Sequence, residues 1–585
     1  MMKHRTILSL VIAFCLPVLL YLQTVGFGFT WFDDDAIISK NVPFLSDVRN
    51  APKVFLNDAF LLKGSGLSGS QQTSWIAGIF YRPLQTLSFM ADIFLSRGNN
   101  TWMYHLTNTL LLGLIACLLY LFFRTFSIPS HLSLLSALLY CAHPLFVSSV
   151  AWLPARGDLL LLFFSLSSFL FFVEYLRERR MVYLLLHWLA FTAALFCKET
   201  AALLPFIFIL YYFTFSSGAP LEKRHLLAIA LYAISGIVWY WLRSTAIEKA
   251  PHPGIVGWMP FISNMRTIPE SLAEFILPLY IAPIPAFSIL NTAIGIALMC
   301  IITALLFANT GRTRKEKFFC LSWFLLFAMP TMLYRNEFYD FLNHRFFLPL
   351  IGILLFIILL VPGKSLEKYD VRITWLMVAA TVVLALTTAV MCRAYENPLT
   401  FYDSVISHNP NSALMYNNRG SVRLAAGDVS GAIGDLTRAL QLNPNLAVAY
   451  YNRGNAYDAM GGLAEAIKDY DKFIELNPQE AGGYVNRGNA YDTGGDHEKA
   501  IRDFDRAIEL DPNNVYAYNS RGLAYDELGE PERAIKDYDR AIELNPNFAA
   551  AYCNRGIAYR ARNMPTEAKQ NFRVYEELTG KNSNP

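Results

Sequence analysis

The chain has 585 residues, of which 54% are hydrophobic, 14% aromatic and only 16% charged, against about 25% charged in an ordinary soluble domain. Mean hydropathy is +0.32, so the composition is that of a membrane protein and excludes a wholly soluble one. The net charge of +3 is too small to point to nucleic acid and fits basic residues gathered on cytoplasmic loops.

The first apolar run covers 6–27 and follows Lys3 and Arg5. It looks like a signal peptide, but no small-x-small cleavage site is clear. It is long enough to cross about 30 Å of hydrocarbon, so it is read as an uncleaved first span. Ten further runs lie near 101–123, 131–152, 158–176, 181–197, 199–217, 225–243, 286–308, 317–334, 345–362 and 371–391. Lysine and arginine collect on alternate loops: Lys3 and Arg5, Arg124, Arg177 to Arg180, Lys223 and Arg224, Arg312 to Lys317, and Lys364 to Arg372. The positive-inside rule makes these cytoplasmic. The segments 28–100 and 244–285 then face outward, and an odd span count puts the C-terminal part outside as well. Segment 254–285 mixes Trp258, Phe261, Phe275 and Tyr280 with prolines, which predicts an interfacial helix or, alternatively, an extra span.

Near residue 395 the chain turns polar and periodic. Arg419, Arg453, Arg487, Arg521 and Arg555 recur every 34 residues, as do Pro410, Pro444, Pro478, Pro512 and Pro546. This is the period of the tetratricopeptide repeat, in five copies over about 413–580. Each copy is a helix-turn-helix. Gly420 and Ala432, with their equivalents, let its two helices approach, and the proline stops the second. One repeat cannot bury its core, so the copies stack into an α-solenoid with a concave groove. The expected architecture is all-α: a membrane-embedded domain over 1–395 and a repeat domain over 396–585. The eight cysteines form no C-x-x-C pair and read as small apolar residues, with no disulfide framework or cysteine metal site.

Polar residues gather on the predicted outer side. Asp33, Asp34 and Asp35 follow the first span. Arg82 precedes the second, with His105 and Asn108 early inside it. His143, Arg156 and Asp158 mark the third-to-fourth turn, Lys198 and Glu199 the fifth-to-sixth, and His344 and Arg345 the ninth-to-tenth. Ionisable groups at membrane depth are costly unless paired and are often functional. Plain readings stand beside this: a solvated helix end for the aspartates, an interfacial ion pair for Arg156 and Asp158, and polar helix contacts for His105 and His143.

The runs F-D-D-D-A-I-I-x-x-N from 32, R-P-L-x-x-L-S-F from 82, H-L-x-N-x-L-L from 105, H-P-L-x-x-x-x-V-A-W-x-x-x-R-x-D-L-L from 143, K-E-T-A-x-x-L-P from 198 and R-F-F-L-P-L-I-G from 345 together resemble the transmembrane and tetratricopeptide repeat-containing proteins. That family includes protein O-mannosyltransferases and looks like part of the C-type membrane glycosyltransferases. Segment 244–330 matches in hydropathy alone, and His344 stands where relatives often carry Asp or Glu. The resemblance implies inverting transfer of a sugar from a polyprenyl-phosphate donor to a protein hydroxyl at the outer face. Asp34 would be the base and Asp33 its partner; Arg345, Arg156, Lys198 and Arg82 would hold the donor phosphate. Asp35, Asp158, Glu199, His105 and His143 would support them, Asp158 by orienting Arg156 or Lys198. No cofactor is required, and a divalent cation on Asp33, Asp34 and Asp35 is left open.

In the repeats, Asn418, Asn452, Asn486 and Asn554 precede the arginines, with Ser520 interrupting the series. An amide both donates and accepts, so such a ladder can hold an extended acceptor backbone; alternatively it ties adjacent repeats together. The expected partners are the lipid donor, membrane lipid and a protein or peptide acceptor, with no nucleic acid. The expected location is a bacterial inner membrane with the repeats in the periplasm, the endoplasmic reticulum and its lumen being the alternative. Two other functions compete: a non-catalytic membrane scaffold, and a lipid-linked polysaccharide polymerase or ligase.

Overall fold

A computed structural model describes residues 2–59, 62, 80–215, 223–247, 258–278, 281–308, 313–333, 342–361 and 363–580. Among these the secondary structure is helical throughout, with no strand. The chain forms two compact units, Met1–Asn409 and Pro410–Pro585. The division falls beyond the hydropathy change at 395 because helix Pro398–His408 packs into the first unit. Its Phe401 ring lies 5.7 Å from Phe32, and the Tyr402 hydroxyl donates to the Trp31 carbonyl at 2.9 Å.

Helices stand at all eleven predicted span positions, but they are unequal. Six described helices are long and apolar enough to cross a membrane: Thr6–Gly26, Thr101–Thr125, Leu153–Glu178, Leu226–Ala246, Ile289–Phe307 and Val371–Tyr395. Ser130–Cys141 and Pro144–Ala151, bent by 52°, make a seventh if they form one broken span. The break is at His143-Pro144, where proline ends one helix and opens the next turn. Met181–Cys197, Glu199–Phe215 and Leu350–Leu359 are shorter apolar helices, and Arg314–Met332 opens on four charged residues. The protein is thus a multi-pass membrane protein.

Buried polar groups tie these helices together where water cannot compete. Ser168 and His187 share a hydrogen bond of 2.9 Å, and Trp188 donates to Ser235 at 2.9 Å. A Cβ on Gly352 would lie 2.5 Å from the Cys320 carbonyl oxygen, so only glycine permits helices Arg314–Met332 and Leu350–Leu359 to touch there. The predicted interfacial segment yields Thr267–Ile276, which at 10 residues is too short to span. It is fastened to the next span, since the Glu270 carboxylate accepts the Ser288 N–H at 3.0 Å. Tyr280 lies outside the described residues.

The second unit holds ten repeat helices, from Ala413–Ala425 to Pro565–Thr579. Ala432, Ala466, Ala500 and Ala534 are fully buried. A Cβ on Gly454 would meet the Tyr470 ring at 2.6 Å, which is why glycine recurs there. The periodic arginine is a staple. Arg487 grips Asp503 of its own repeat through two hydrogen bonds of 2.7 and 2.8 Å and reaches Asp471 of the preceding repeat at 2.6 Å. Arg521 repeats the pattern with Asp537 and Asp505.

Candidate functional site

The site is built at the ends of the membrane helices. After the first span the chain extends from Phe27 to the short helix Asp34–Ile37. Its bend requires a positive φ at two non-glycine residues, Trp31 at 55° and Asp33 at 115°. Such backbone costs about 1–3 kcal/mol per residue and persists where the surroundings impose it. Here the surroundings are Tyr402 on the Trp31 carbonyl and an aromatic clamp in which Phe32 lies 5.7 Å from both Trp152 and Phe401.

The two aspartates differ sharply. Asp34 is buried, and Thr30 donates to both of its carboxylate oxygens, the backbone N–H at 2.5 Å and the hydroxyl at 2.8 Å. Burial pushes its pKa up against those bonds and a contact from Trp152. Asp33 is half-buried. Burial and the neighbouring Asp34 charge push its pKa up to about 7, against the pull of Arg82 and Arg345. Asp34, expected as the base, thus braces the loop through Thr30, and Asp33, expected as its partner, is the carboxylate held near neutrality. The Asp35 side chain lies outside the described residues. Among the described residues no three His, Cys, Asp or Glu side chains gather as metal ligands.

Beside the loop is a cavity of about 250 Å³ whose polar lining includes Arg82, Lys198, Arg243 and Arg345, with Asp158 and Glu199 opposing. Leu161, Phe327, Leu333 and Leu348 form part of its apolar side. Four cations face two carboxylates, one of which is already engaged: Lys198 donates to Asp158 at 2.6 Å. Asp158 thus orients Lys198, as one of its expected roles required. His344 stands 3.8 Å from Asp158, and burial lowers its pKa to about 3, with Asp158 opposing. A neutral imidazole suits that place, where a second carboxylate would face Asp158.

Arg156 does not join the cavity. Its guanidinium is fully buried and spent on Asp92 at 2.5 Å, the Asn108 amide oxygen at 2.7 Å and the Tyr104 carbonyl at 2.7 Å, over the Phe89 ring. With Ser88 accepting a fourth N–H at 3.3 Å, the expectation that it binds phosphate fails because the guanidinium is sealed away from the cavity and four of its five N–H donors are already taken. His143 is a local brace, bonded to the Phe275 carbonyl at 2.9 Å and to the Leu145 N–H. His105 packs edge-on against Phe27. His143 fits the polar-contact alternative, whereas the contact His105 makes to Phe27 is an aromatic one.

The sequence reading missed Arg243, which sits at the end of helix Lys223–Ala246. The signal was the one that marked Lys198, a lone cation at an outer span end. It also missed Thr30 and Tyr402, a loop and a helix residue with no local feature to single them out, and it placed Trp152 in the third-to-fourth turn motif without its contact to Phe32.

The asparagine series lies between repeats. Asn452 donates to Asn417 of the previous repeat at 3.0 Å, Asn486 to Asn455 at 2.8 Å and Asn554 to Asn519 at 3.0 Å. Asn418 accepts from its neighbour Asn417 at 3.0 Å. The tie between repeats is therefore realised at three of the four.

Known proteins are similar to parts of both units. Residues 84–241 match a family described as dolichyl-phosphate-mannose-protein mannosyltransferase. Residues 447–480, 481–514 and 515–548 each match the tetratricopeptide repeat. Part of the membrane unit is thus similar to a mannosyltransferase family, and the second unit carries tetratricopeptide repeats, in line with its motifs and period.

Its relatives include protein O-mannosyl-transferases Tmtc1 and Tmtc2 of Drosophila melanogaster. Tmtc1 is 31% identical over 203 residues, covering 34% of this chain and 22% of Tmtc1. Tmtc2 is 30% identical over 212 residues, covering 34% of this chain and 21% of Tmtc2. Human TMTC4, also a protein O-mannosyl-transferase, is 33% identical over 123 residues, 19% of this chain and 17% of TMTC4. The matched part spans about a fifth of the length of these relatives. Among solved structures, MamA is 31% identical over 29% of this chain and 92% of its own, with a TM-score of 0.26. YrrB, described as a TPR protein with an unusual peptide-binding site, is 21% identical over 31% of this chain and 93% of its own, with a TM-score of 0.27.

Proposed function

We propose that this protein is a C-type glycosyltransferase that moves a sugar from a polyprenyl-phosphate donor to a serine or threonine hydroxyl of a protein. The observation that carries the reading is the cavity lined by Arg82, Lys198, Arg243 and Arg345, whose field reaches Asp33 from Arg82 and Arg345. An excess of cations beside an apolar wall suits a phosphate on a lipid chain, and arginine favours bidentate phosphate contact. The names of the relatives make mannose the first sugar to test.

In this mechanism Asp33 takes the acceptor hydroxyl proton as its oxygen attacks the anomeric carbon. The bond from that carbon to the phosphate oxygen breaks, and its electron pair leaves with the lipid phosphate, which the four cations stabilise. Attack from the face opposite the phosphate inverts the anomeric centre, through an oxocarbenium-like state. The donor cavity and the repeats lie at the outer face, the periplasmic side of a bacterial inner membrane or, alternatively, the lumen of the endoplasmic reticulum. The repeats hold the acceptor chain.

The test uses the purified full chain, a short prenyl-phosphate mannose and a serine- and threonine-containing peptide. Addition of one hexose to the peptide, lost in Asp33→Asn, is the expected result. No hexose transfer at any pH between 6 and 9 (about one to two units either side of the base) would count against the reading.

A further inference from the structure

A second cavity, of about 540 Å³, lies within the first unit and has a different character. Much of its lining is apolar, and its polar groups include Ser148, Asn343, Arg393, Thr400, Asp403, Ser404 and His408. One guanidinium and one carboxylate leave it close to charge balance, unlike the cation cavity, and most of its other polar groups are hydroxyls.

Two elements join this cavity to the site already described. The turn Asn343–Phe346 gives Asn343 to the second cavity and Arg345 to the cation cavity, so the two share a wall. His344 in that wall packs against Trp152 at 5.3 Å, and Trp152 in turn contacts Asp34. Helix Pro398–His408 forms another side. Thr400, Asp403, Ser404 and His408 line the cavity, at the spacing that puts residues on one helical face. Phe401 and Tyr402, from the other face, pack on the loop of Asp33.

The cavity also holds a buried amide, Asn343, 3% exposed. It bonds to the buried carboxyl of its neighbour Glu274, whose other oxygen completes no hydrogen bond. An amide presents a donor and an acceptor side by side, the complement of a peptide group. A lipid phosphate would meet the Asp403 carboxylate at this cavity and only one guanidinium.

We propose that the second cavity holds the acceptor as an extended polypeptide, one peptide group paired with Asn343 and a serine or threonine hydroxyl presented to the aspartate loop. The proposal rests on the transferase reading and adds where, and by which residues, the acceptor is held. Asp403, exposed at the rim, makes flanking basic residues favourable.

Two variants of the full chain test it. Ser404→Trp fills the cavity, and Asp403→Lys reverses the charge at its rim, with the melting temperature of each variant measured as a check on folding. Peptide KM and the anisotropy of a labelled short peptide are measured beside the binding of farnesyl phosphate. We expect Ser404→Trp to weaken peptide binding about tenfold or more and to leave farnesyl phosphate unaffected. Asp403→Lys should shift preference from a lysine-flanked to a glutamate-flanked peptide. Unchanged peptide binding and preference in both variants would overturn the proposal. So would loss of farnesyl phosphate binding in Ser404→Trp, which would make the cavity a lipid site. Peptide binding that responds as expected without any sugar transfer would instead fault the transferase reading and leave the binding site standing.

Discussion

Asp33 and Arg156 differ most among the residues expected at the site: Asp33 is half-buried with a pKa near neutrality, and Arg156 is sealed in a buried pair with Asp92. Asp33 accepts a proton only when ionised. With its pKa pushed up to about 7, kcat/KM should rise with pH through about 7 and level off above it, and protonation should extinguish activity below. Asp33→Asn should cost about 10²- to 10⁴-fold in rate and abolish that limb of the profile, while the protein remains folded. Asp34→Asn should instead loosen the loop by weakening the Thr30 contacts. Arg345→Ala should raise the donor KM about ten- to a hundredfold, the scale of a charged hydrogen bond. Arg156→Met should act on stability, because it strands Asp92, and breaking one side of a buried pair typically costs about 3–5 kcal/mol. A lowered melting temperature with an unchanged donor KM is the expected signature. From sequence, Arg82, Arg156, Lys198 and Arg345 looked alike, each a cation near a span end. What separates Arg156 is Asp92, 64 positions away, a pairing that no local pattern reveals.

At the scale of elements, helix Pro398–His408 is the piece that hydropathy misassigned. Its composition is polar enough to belong with the repeats, yet Phe401, Tyr402, Val405 and Ile406 are buried. Its aromatic face holds the Trp31-to-Asp33 bend. Tyr402→Phe keeps the ring and removes the bond to the Trp31 carbonyl. A side-chain hydrogen bond is worth about 0.5–1.5 kcal/mol, so kcat should fall by up to about tenfold with little change in either KM. A changed KM alone would mean that Tyr402 serves binding and not the loop. In the repeats, periodicity located the arginines, the glycines and the helix ends, because one spacing governs all five copies. It left open what the asparagines do. Since Asn452 and Asn486 bond across repeats, changing both to alanine should lower the stability of the repeat unit by about 1–3 kcal/mol, read from its melting. A long acceptor protein should then bind more weakly, while a short peptide keeps its KM; equal loss for both would mean that the series is structural alone.

For the whole molecule, the features at stake are a membrane unit with a cation cavity beside Asp33, and a repeat unit after it. The order of these parts was legible in hydropathy and period, since both are long-range averages over many residues. The span count was less so: helices of 10 to 17 residues and the bent pair at His143-Pro144 carry the same apolar composition as true spans without their length. Sidedness rests on the lysine and arginine bias, and reporter fusions after residue 400 should be active only outside the cytoplasm. The most direct measurement is hexose transfer by the purified full chain from a short prenyl-phosphate mannose to a serine- and threonine-containing peptide, with wild type and Asp33→Asn compared side by side by intact mass. With the wild-type protein the peptide should gain one hexose; with Asp33→Asn it should gain almost none, while that variant still binds farnesyl phosphate. Equal hexose addition by both proteins would contradict it.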